Sequence, residues 1–338
     1  MKRCIIQSLV CLAFALLLPM LLWYFFPPET EGTEPPDPDI SVPEEPAPAA
    51  VTEPLRGDGD VTISLLHGEE ILSLTLEEYL PGVLAGEMPA SFAPDALRAQ
   101  AVAARTYAVY RHRTGTLNHP GVDVCDDPGC CQVWLEEDEL KARWGDGFDT
   151  YYAAIRAAVE ETDGQYLIYN GEPILACFHA SSAGQTENVA ALWGTALPYL
   201  VSVSSPETAD DVPNYVSTVE RTPNELRAAV EALDPRAVFD GTPDTWIGAR
   251  ILDTSDRVAA IRIGGVSLSG TQVRALFSLR SANFTLEWTG SVFRFTVTGS
   301  GHGAGMSQYG ANVMAQEGST WQEILAHYYP GTELSYLA

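Results

Sequence analysis

Residues 75–112 read TLEEYLPGVLAGEMPASFAPDALRAQAVAARTYAVYRH, and this stretch predicts two consecutive helices. A capping box at Thr75 begins the first helix, which leads to Glu87. Pro94 suits the first turn of the second helix, and Ala-rich sequence continues that helix to about His112. Glu87 therefore lies at the junction between the two helices.

Short strands surround this pair of helices. Residues 61–66 and 71–74 predict a strand pair, and Asn170-Gly171 between apolar runs predicts a hairpin with a type I′ turn. Residues 250–300 alternate apolar and polar side chains in short runs, as strands and turns do. Further helices are predicted over residues 149–162, 223–233, 307–317 and 320–328. Because helices and strands are interspersed without strict alternation, the sequence predicts an α+β fold with antiparallel strands.

The N-terminal region divides into two segments ahead of this fold. Lys2 and Arg3 precede an apolar run that can span a hydrocarbon core, so residues 1–26 are expected to be a cytoplasmic end with a transmembrane signal anchor. A cleaved signal peptide is the alternative, although the run offers no small-x-small cleavage site. Residues 27–60 are rich in Pro, Glu, Asp and Ala and predict a disordered linker. Residues 61–338 are expected to form a single domain outside the cytoplasm, by the positive-inside bias.

The charge balance narrows the class of partner. The 338 residues include 19 Lys and Arg against 45 Asp and Glu, which gives a formal net charge of -26. A polyanion held through counterion release needs a basic surface. We therefore expect no nucleic acid partner.

Glu87 is the main candidate for acid–base chemistry. It lies in the stretch Tyr79–Pro89, whose other residues are apolar or small. Such surroundings disfavour the charged carboxylate and raise its pKa, which a general acid needs near neutral pH. In the alternative interpretation Glu87 only ends a helix and points into solvent, and composition does not decide between the two.

A loop over residues 114–134 carries side chains that suit a metal. His119, Cys125 and Cys131 follow one another at equal intervals of six residues. One imidazole and two thiolates can bind a tetrahedral zinc, with a fourth ligand from water or elsewhere. Outside the cytoplasm, a disulfide from Cys125 to Cys130 or Cys131 is equally consistent with the sequence.

Two further segments combine polar side chains with glycine. Residues 178–186 suit a polar sugar-binding loop, although a turn whose hydroxyls bind their own backbone fits as well. Residues 299–310 contain five glycines around the start of a predicted helix at Ser307, without the Lys of a phosphate-binding P-loop. This pattern favours close approach of the backbone, with His302 and Gln308 projecting into a cleft.

Five ordered blocks of sequence carry a resemblance to a known family. The blocks lie at residues 78–89, 97–107, 192–200, 273–284 and 301–311. On these residues the chain, from about residue 60 to its C-terminus, resembles the stage II sporulation protein D family, which are lytic transglycosylases of endospore-forming bacteria.

The resemblance implies an activity, a location and partners. It implies a membrane-anchored enzyme, in the engulfing membrane of the mother cell, that cleaves peptidoglycan glycan strands stripped of their stem peptides during engulfment of the forespore. The expected products carry 1,6-anhydro-N-acetylmuramic acid ends. The expected partners are an amidase and a membrane scaffold, stage II sporulation proteins P and M.

The resemblance also implies roles for individual residues. Glu87 occupies the catalytic position. The positions that match the family's substrate cleft are Arg105, His179, Ser181, Ser182, Gly184, Thr186, His302, Gln308 and Tyr309. His119, Cys125 and Cys131 match a zinc site seen in some members. A zinc there is expected to be structural, because the family's chemistry needs no cofactor.

The sequence departs from the family pattern at two places. Ala183-Gly184 stands where paired glycines are common, and Pro81 replaces a more helix-friendly residue ahead of Glu87. Some relatives act in wall remodelling outside sporulation or as amidase enhancers. A non-catalytic wall-binding or amidase-activating module is therefore the main alternative, and a zinc hydrolase that uses the His119 group is a weaker one.

Overall fold

The computed structural model describes residues 57–116 and 118–337. The predicted anchor over residues 1–26 and nearly all of the predicted linker over residues 27–60 lie outside the described residues. Within the described ranges, no helix combines the length and the apolar character that crossing a membrane requires. The predicted domain boundaries stay predictions.

Helices and strands are mixed along the described chain. The helices are α1 (Leu76–Glu87), α2 (Pro94–Thr114), α3 (Glu137–Trp144), α4 (Phe148–Glu160), α5 (Val189–Trp193), α6 (Pro223–Leu233), α7 (Gly270–Phe277), α8 (Gln308–Gln316) and α9 (Trp321–Tyr328). The strands are β1 (Thr62–His67), β2 (Glu70–Thr75), β3 (Val124–Cys125), β4 (Gln165–Tyr169), β5 (Glu172–Pro173), β6 (Phe178–His179), β7 (Val216–Arg221), β8 (Ile247–Leu252), β9 (Val258–Ile263), β10 (Val266–Ser269), β11 (Phe284–Trp288), β12 (Phe293–Thr298), β13 (Met306–Ser307) and β14 (Glu333–Tyr336).

Most of the strand pairs are antiparallel. Strand β1 pairs antiparallel with β2 and parallel with β3, and β4 lies between β5 and β14. Strand β9 lies between β8 and β10, while β12 lies between β7 and β11. Strands β6 and β13 form a short parallel pair. This mixture of helices and mainly antiparallel strands confirms the α+β class.

The first hydrophobic core surrounds α2. Its many alanines, such as Ala99 and Ala103, are fully buried and keep the helix thin. Helices α1, α4, α8 and α9 therefore pack directly against it. Large side chains from the neighbours, including Leu80 of α1 and Ile155 of α4, fill the space between. Burying each such side chain stabilises the fold by about 1.5–3 kcal/mol.

A second core lies among the later strands and helices α6 and α7. Phenylalanines dominate it: the rings of Phe277 and Phe295 lie 4.9 Å apart, and Phe293 is fully buried. Leu226 and Val230 of α6 close the same cluster. The two hydrophobic clusters of the described residues are thus separate. Glu87 is the last residue of α1, whose apolar side chains belong to the first cluster.

Several predicted elements are confirmed. The strand pair β1–β2, the capping box at Thr75 and the α2 helix from Pro94 all occur. Asn170 and Gly171 both have positive φ, at 53° and 85°, as a type I′ turn requires. Helix α7 was missed within a region predicted as strands and turns, because a helix of eight residues carries too little periodicity to be seen there.

Candidate active site around Glu87

Glu87 is the last residue of α1, and two glycines decide what packs against that end of the helix. Gly82 and Gly86 are four residues apart and share one face. Residues 133–135 face them. A Cβ at Gly82 would lie 2.6 Å from a carbonyl oxygen of that segment, and one at Gly86 would lie 2.8 Å from a methyl group. Because both positions lack a side chain, the segment can lie directly on the helix.

Two donors bind the Glu87 carboxyl group. The N–H of Val133 donates to Oε1 at 2.7 Å, and Nε2 of Gln308 donates to Oε2 at 3.4 Å. Burial raises the pKa of Glu87, and these two hydrogen bonds oppose the rise. The carbonyl end of α1 disfavours an anion as well. Glu87 can therefore keep its proton at a pH where an exposed glutamate is ionised, and the two donors stabilise the carboxylate once the proton has left.

Gln308 reaches the carboxyl group because α8 begins beside the end of α1. Asn312 of α8 accepts a hydrogen bond from the N–H of Ala93 at 2.8 Å. The ring of Tyr309 packs edge-on against Phe92, with centroids 5.0 Å apart. These contacts join the turn between α1 and α2 to the first turns of α8, which fixes the two helix ends relative to each other.

The parallel pairing of β6 with β13 brings the two polar segments of the sequence together. Ser307 lies opposite His179 in this pair. Ser181 and Ser300 exchange backbone hydrogen bonds of 3.0 and 2.8 Å. The predicted polar loop and the predicted glycine-rich segment therefore form one junction at the start of α8.

His179 and His302 lie in this junction as neutral imidazoles. The carbonyl of Ala304 can only accept, so His179 Nδ1 donates to it at 3.2 Å, and Nε2 accepts from the hydroxyl of Ser182 at 2.7 Å. Burial holds the pKa of His179 well below its usual value. Burial, together with two nearby arginines, lowers the pKa of His302 to about 4. Both rings can therefore make hydrogen bonds without carrying charge near neutral pH.

The hydroxyl groups of the polar loop are turned inward. Ser181, Ser182 and Thr186 are fully buried. The N–H of Ser182 donates to Glu207, and the Thr186 hydroxyl bonds to backbone groups of the facing segment. Gly184 is exposed and has a φ of 91°. Gly184 therefore lies at the surface of the loop. The buried hydroxyls of Ser182 and Thr186 instead make hydrogen bonds within the protein.

Arg105 lies in a different environment from the one that the resemblance implies. Its guanidinium is fully buried and donates to both carboxylate oxygens of Asp58 at 2.6 Å. Its other donors bind the hydroxyl of Thr162 and the carbonyls of Gln165 and Val159. All five N–H groups have protein partners. Arg105 therefore anchors the chain around Asp58 and has no donor left for a substrate, which corrects the expected substrate contact.

His119, Cys125 and Cys130 form a candidate metal site, with ligand atoms within 4.8 Å of one another. Cys131, which was expected in this place, is not part of the group, although its sulfur lies 3.8 Å from that of Cys130. Among the described residues the cysteines are all free of disulfides. Burial raises the pKa of the Cys125 thiol, so a cation is needed to hold it as a thiolate. One imidazole and two thiolates fit zinc.

The loop that carries these ligands also positions the backbone donor at Val133. The hydroxyl of Tyr107, on α2, donates to the carbonyl of Cys130 at 3.3 Å. The hydroxyl of Tyr79, on α1, donates to Oε1 of Gln132 at 3.2 Å. The loop is thus tied to both helices immediately before it reaches Glu87.

Three features of the site left no usable signal in the sequence. Any residue except proline can supply the main-chain N–H that Val133 donates, so the residue type at position 133 does not reveal this contact. Cys130 takes the place of Cys131 in the metal group, and spacing cannot separate two adjacent cysteines of one loop. Glu207 is one of 45 acidic residues and lies outside the recognisable blocks.

Comparisons with known proteins show which family this sequence resembles. Residues 67–169 match the family described as Stage II sporulation protein. The chain is 36% identical over 339 residues to "Stage II sporulation protein D" of Bacillus subtilis strain 168, an alignment that covers 99% of this chain and 96% of that protein. The protein of the same name from Bacillus amyloliquefaciens is 36% identical over 286 residues, which cover 84% of this chain and 81% of that one.

A more distant relative has a different name. The chain is 29% identical over 306 residues to the "Amidase enhancer" of Bacillus subtilis strain 168, with 76% of this chain and 40% of that protein covered. The relatives named Stage II sporulation protein D align at higher identity and along more of their own length. The chain therefore belongs to the stage II sporulation protein D family.

Proposed function

We propose that the chain is a lytic transglycosylase that cleaves the bond between N-acetylmuramic acid and N-acetylglucosamine in peptidoglycan glycan strands. The observation that supports this most strongly is a single carboxyl group, Glu87, with a raised pKa and two hydrogen-bond donors. Within the described residues, no second carboxylate is among the groups that shift its pKa. Hydrolases that use two carboxylates hold them roughly 5 to 10 Å apart. A lytic transglycosylase uses one carboxylate twice.

In the first step, protonated Glu87 donates its proton to the glycosidic oxygen while the bond from that oxygen to C1 of the muramic acid breaks. N-acetylglucosamine leaves with the proton. The Glu87 carboxylate that remains accepts hydrogen bonds from the N–H of Val133 and the amide of Gln308. These donors favour the ionised form, so they assist the proton transfer.

In the second step, the Glu87 carboxylate takes the proton of the C6 hydroxyl of the same muramic acid. The C6 oxygen forms a bond to C1 and closes a 1,6-anhydro ring. Glu87 is protonated again and no water is consumed. An intramolecular nucleophile can have an effective concentration on the order of 10⁵ M or more, so this route needs no second carboxylate.

The substrate surface in this proposal is the junction of β6, β13 and α8. His302 is half-buried and neutral there, and Gln308 and Tyr309 lie at the start of α8 beside Glu87. Uncharged donors and acceptors suit the hydroxyl and acetamido groups of a sugar. The exposed Gly184 at the neighbouring turn has no side chain and so leaves room for the glycan strand.

We place the enzyme on the outer side of a membrane in sporulating cells, as a single-pass protein anchored by residues 1–26. The apolar run in that segment and the family membership support this location. The proposed partners are an amidase, which strips stem peptides from the strands, and a membrane scaffold, namely stage II sporulation proteins P and M. The role in engulfment is part of the same proposal.

We assign a structural zinc to His119, Cys125 and Cys130. The convergence of their ligand atoms and the route of their loop to Val133 support a role in holding the loop against α1. The proton transfers described above use none of these side chains.

A second candidate function is activation of an amidase without glycan cleavage. The relative named Amidase enhancer, at 29% identity over 306 residues, favours keeping it. The two functions differ in one property: an activating module does not need the Glu87 proton.

The test compares the full-length chain, purified in detergent, with Glu87→Gln on glycan strands that lack stem peptides. Glu77→Gln is the matched control, because Glu77 is exposed on the same helix. We expect anhydro-ended fragments from the wild type and the control, and none from Glu87→Gln. Intact strands from all three proteins, together with Glu87-independent stimulation of an amidase, would favour the second function.

A further inference from the structure

Glu207 is a buried carboxylate beside the β6–β13 junction, with only 2% of its surface exposed. Its Oε1 accepts a hydrogen bond from the N–H of Ser182 at 2.6 Å and another from the hydroxyl of Ser307 at 2.5 Å. Its Oε2 accepts from the hydroxyl of Ser205 at 2.5 Å. One carboxylate thus joins the polar loop, the segment after it and the start of α8.

The contact with Ser307 has the most direct consequence for the active site. The Ser307 hydroxyl has one proton, which it donates to Glu207, so its lone pairs are free to accept from the N–H of Gly310 at 3.2 Å. That second bond caps α8. The next residue is Gln308, whose amide lies 3.4 Å from Glu87.

Close packing leaves little freedom around this carboxylate. A Cβ at Gly310 would overlap the hydroxyls of Tyr328 and Ser205 and would lie 2.6 Å from Oε2 of Glu207. The Tyr328 hydroxyl itself lies 2.8 Å from that of Ser205. Helix α9, which carries Tyr328, therefore closes the network behind Glu207.

We propose that Glu207 is a positioning residue, which acts through Ser307 to place the amide of Gln308 against Glu87. The hydrogen bond from Gln308 lowers the pKa of Glu87, so releasing that amide raises it. The effect of Glu207 on glycan cleavage rests on the proposed function. Its effect on the Glu87 carboxyl group does not.

The test measures the titration of Glu87 by carbon-13 NMR, in the full-length chain labelled at the glutamate carboxyl carbons. The signal of Glu87 is the one that Glu87→Gln removes. We expect Glu207→Ala to raise the pKa of Glu87 as Gln308→Ala does, and the double variant to raise it no further, because both act on one contact. Glu207→Gln keeps one acceptor oxygen for Ser307 and should restore most of the wild-type titration.

Two further variants complete the design. Glu323→Gln is the matched control, because Glu323 also binds the N-terminus of a helix but is exposed. In this variant the pKa of Glu87 should equal that of the wild type. If Glu207→Ala does not fold, Ser307→Ala removes the same link and loses only the cap of α8. We expect it to raise the pKa of Glu87 too.

An unchanged Glu87 titration in folded Glu207→Ala or Ser307→Ala would overturn the proposal, as would effects of Glu207→Ala and Gln308→Ala that add. In a glycan cleavage assay, Glu207→Ala should lower kcat about 10- to 100-fold through misplacement of the site. If the wild type cleaves no glycan, the proposed function fails, and the titration still decides the role of Glu207.

Discussion

Replacement of Arg105 by alanine should destabilise the protein strongly without a specific effect on glycan binding. The guanidinium is fully buried and makes five hydrogen bonds, two of them to Asp58 at 2.6 Å. The Asp58 side chain is itself only 3% exposed. Removal of one partner leaves the other charge buried without a counterpart, which costs about 3–5 kcal/mol. We expect Arg105→Ala to lower the free energy of unfolding by about this amount.

Urea unfolding of the full-length chain, followed by tryptophan fluorescence, measures this loss. Arg227→Ala is the matched control, because Arg227 pairs with Glu231 four residues along α6 and half of its side chain is exposed. Its loss should be about 0.2–1 kcal/mol. The double variant of Arg105 and Asp58 should lose less than the sum of the two single variants, because no unpaired charge remains. A free energy of unfolding for Arg105→Ala within about 1 kcal/mol of wild type, with weakened glycan binding, would refute this reasoning.

Three further predictions follow from the same site. Cleavage needs protonated Glu87, so the cleavage rate should fall as pH rises through the raised pKa of that group. Gln308→Ala raises this pKa further and should move the fall in rate to higher pH. An unmoved pH profile would contradict the hydrogen bond between Gln308 and Glu87. Gly86→Ala would place its Cβ 2.8 Å from the side chain of Val133 and displace the Val133 N–H from Glu87. We expect kcat to drop about 10- to 100-fold while circular dichroism still shows a folded chain. Full activity would show that the Val133 N–H does not contribute. Metal analysis of the purified protein should find zinc lost in Cys130→Ser and retained in Cys131→Ser, and the opposite result would exclude the ligand group seen here.

Local signals in the sequence identified the elements around the site. The capping box at Thr75, the first turn at Pro94 and the Asn170-Gly171 turn each depend on residues close in sequence, and all three occur in the structure. The Ala-rich pattern of α2 was also informative, because a thin helix can be contacted by several neighbours at once. Fold class followed from the order of these elements.

The partners of each site residue depended on contacts between distant parts of the chain. Arg105 was expected at the substrate cleft, and its partner Asp58 lies 47 residues earlier, at the edge of a region predicted as linker. Val133 reaches Glu87 from 46 residues away through a main-chain group that every residue type but proline offers. Neither contact has a local pattern, so only the packed structure shows it.

The metal group shows the same limit at short range. Equal spacing of His119, Cys125 and Cys131 suggested one set of ligands, while the structure gathers His119, Cys125 and Cys130. The sulfurs of the two adjacent cysteines lie 3.8 Å apart, and it is Cys130, not Cys131, that belongs to the group with the imidazole. Spacing alone cannot distinguish neighbours in a loop.

The most direct test of the central claim is whether water enters the product. Peptide-free glycan strands are incubated with the full-length chain in water enriched in heavy oxygen, and the new ends are weighed by mass spectrometry. Cleavage by Glu87 with the C6 hydroxyl as nucleophile predicts anhydro ends that carry no heavy oxygen, and no new ends with Glu87→Gln. New ends that carry one heavy oxygen would show that water is the nucleophile and would contradict the account.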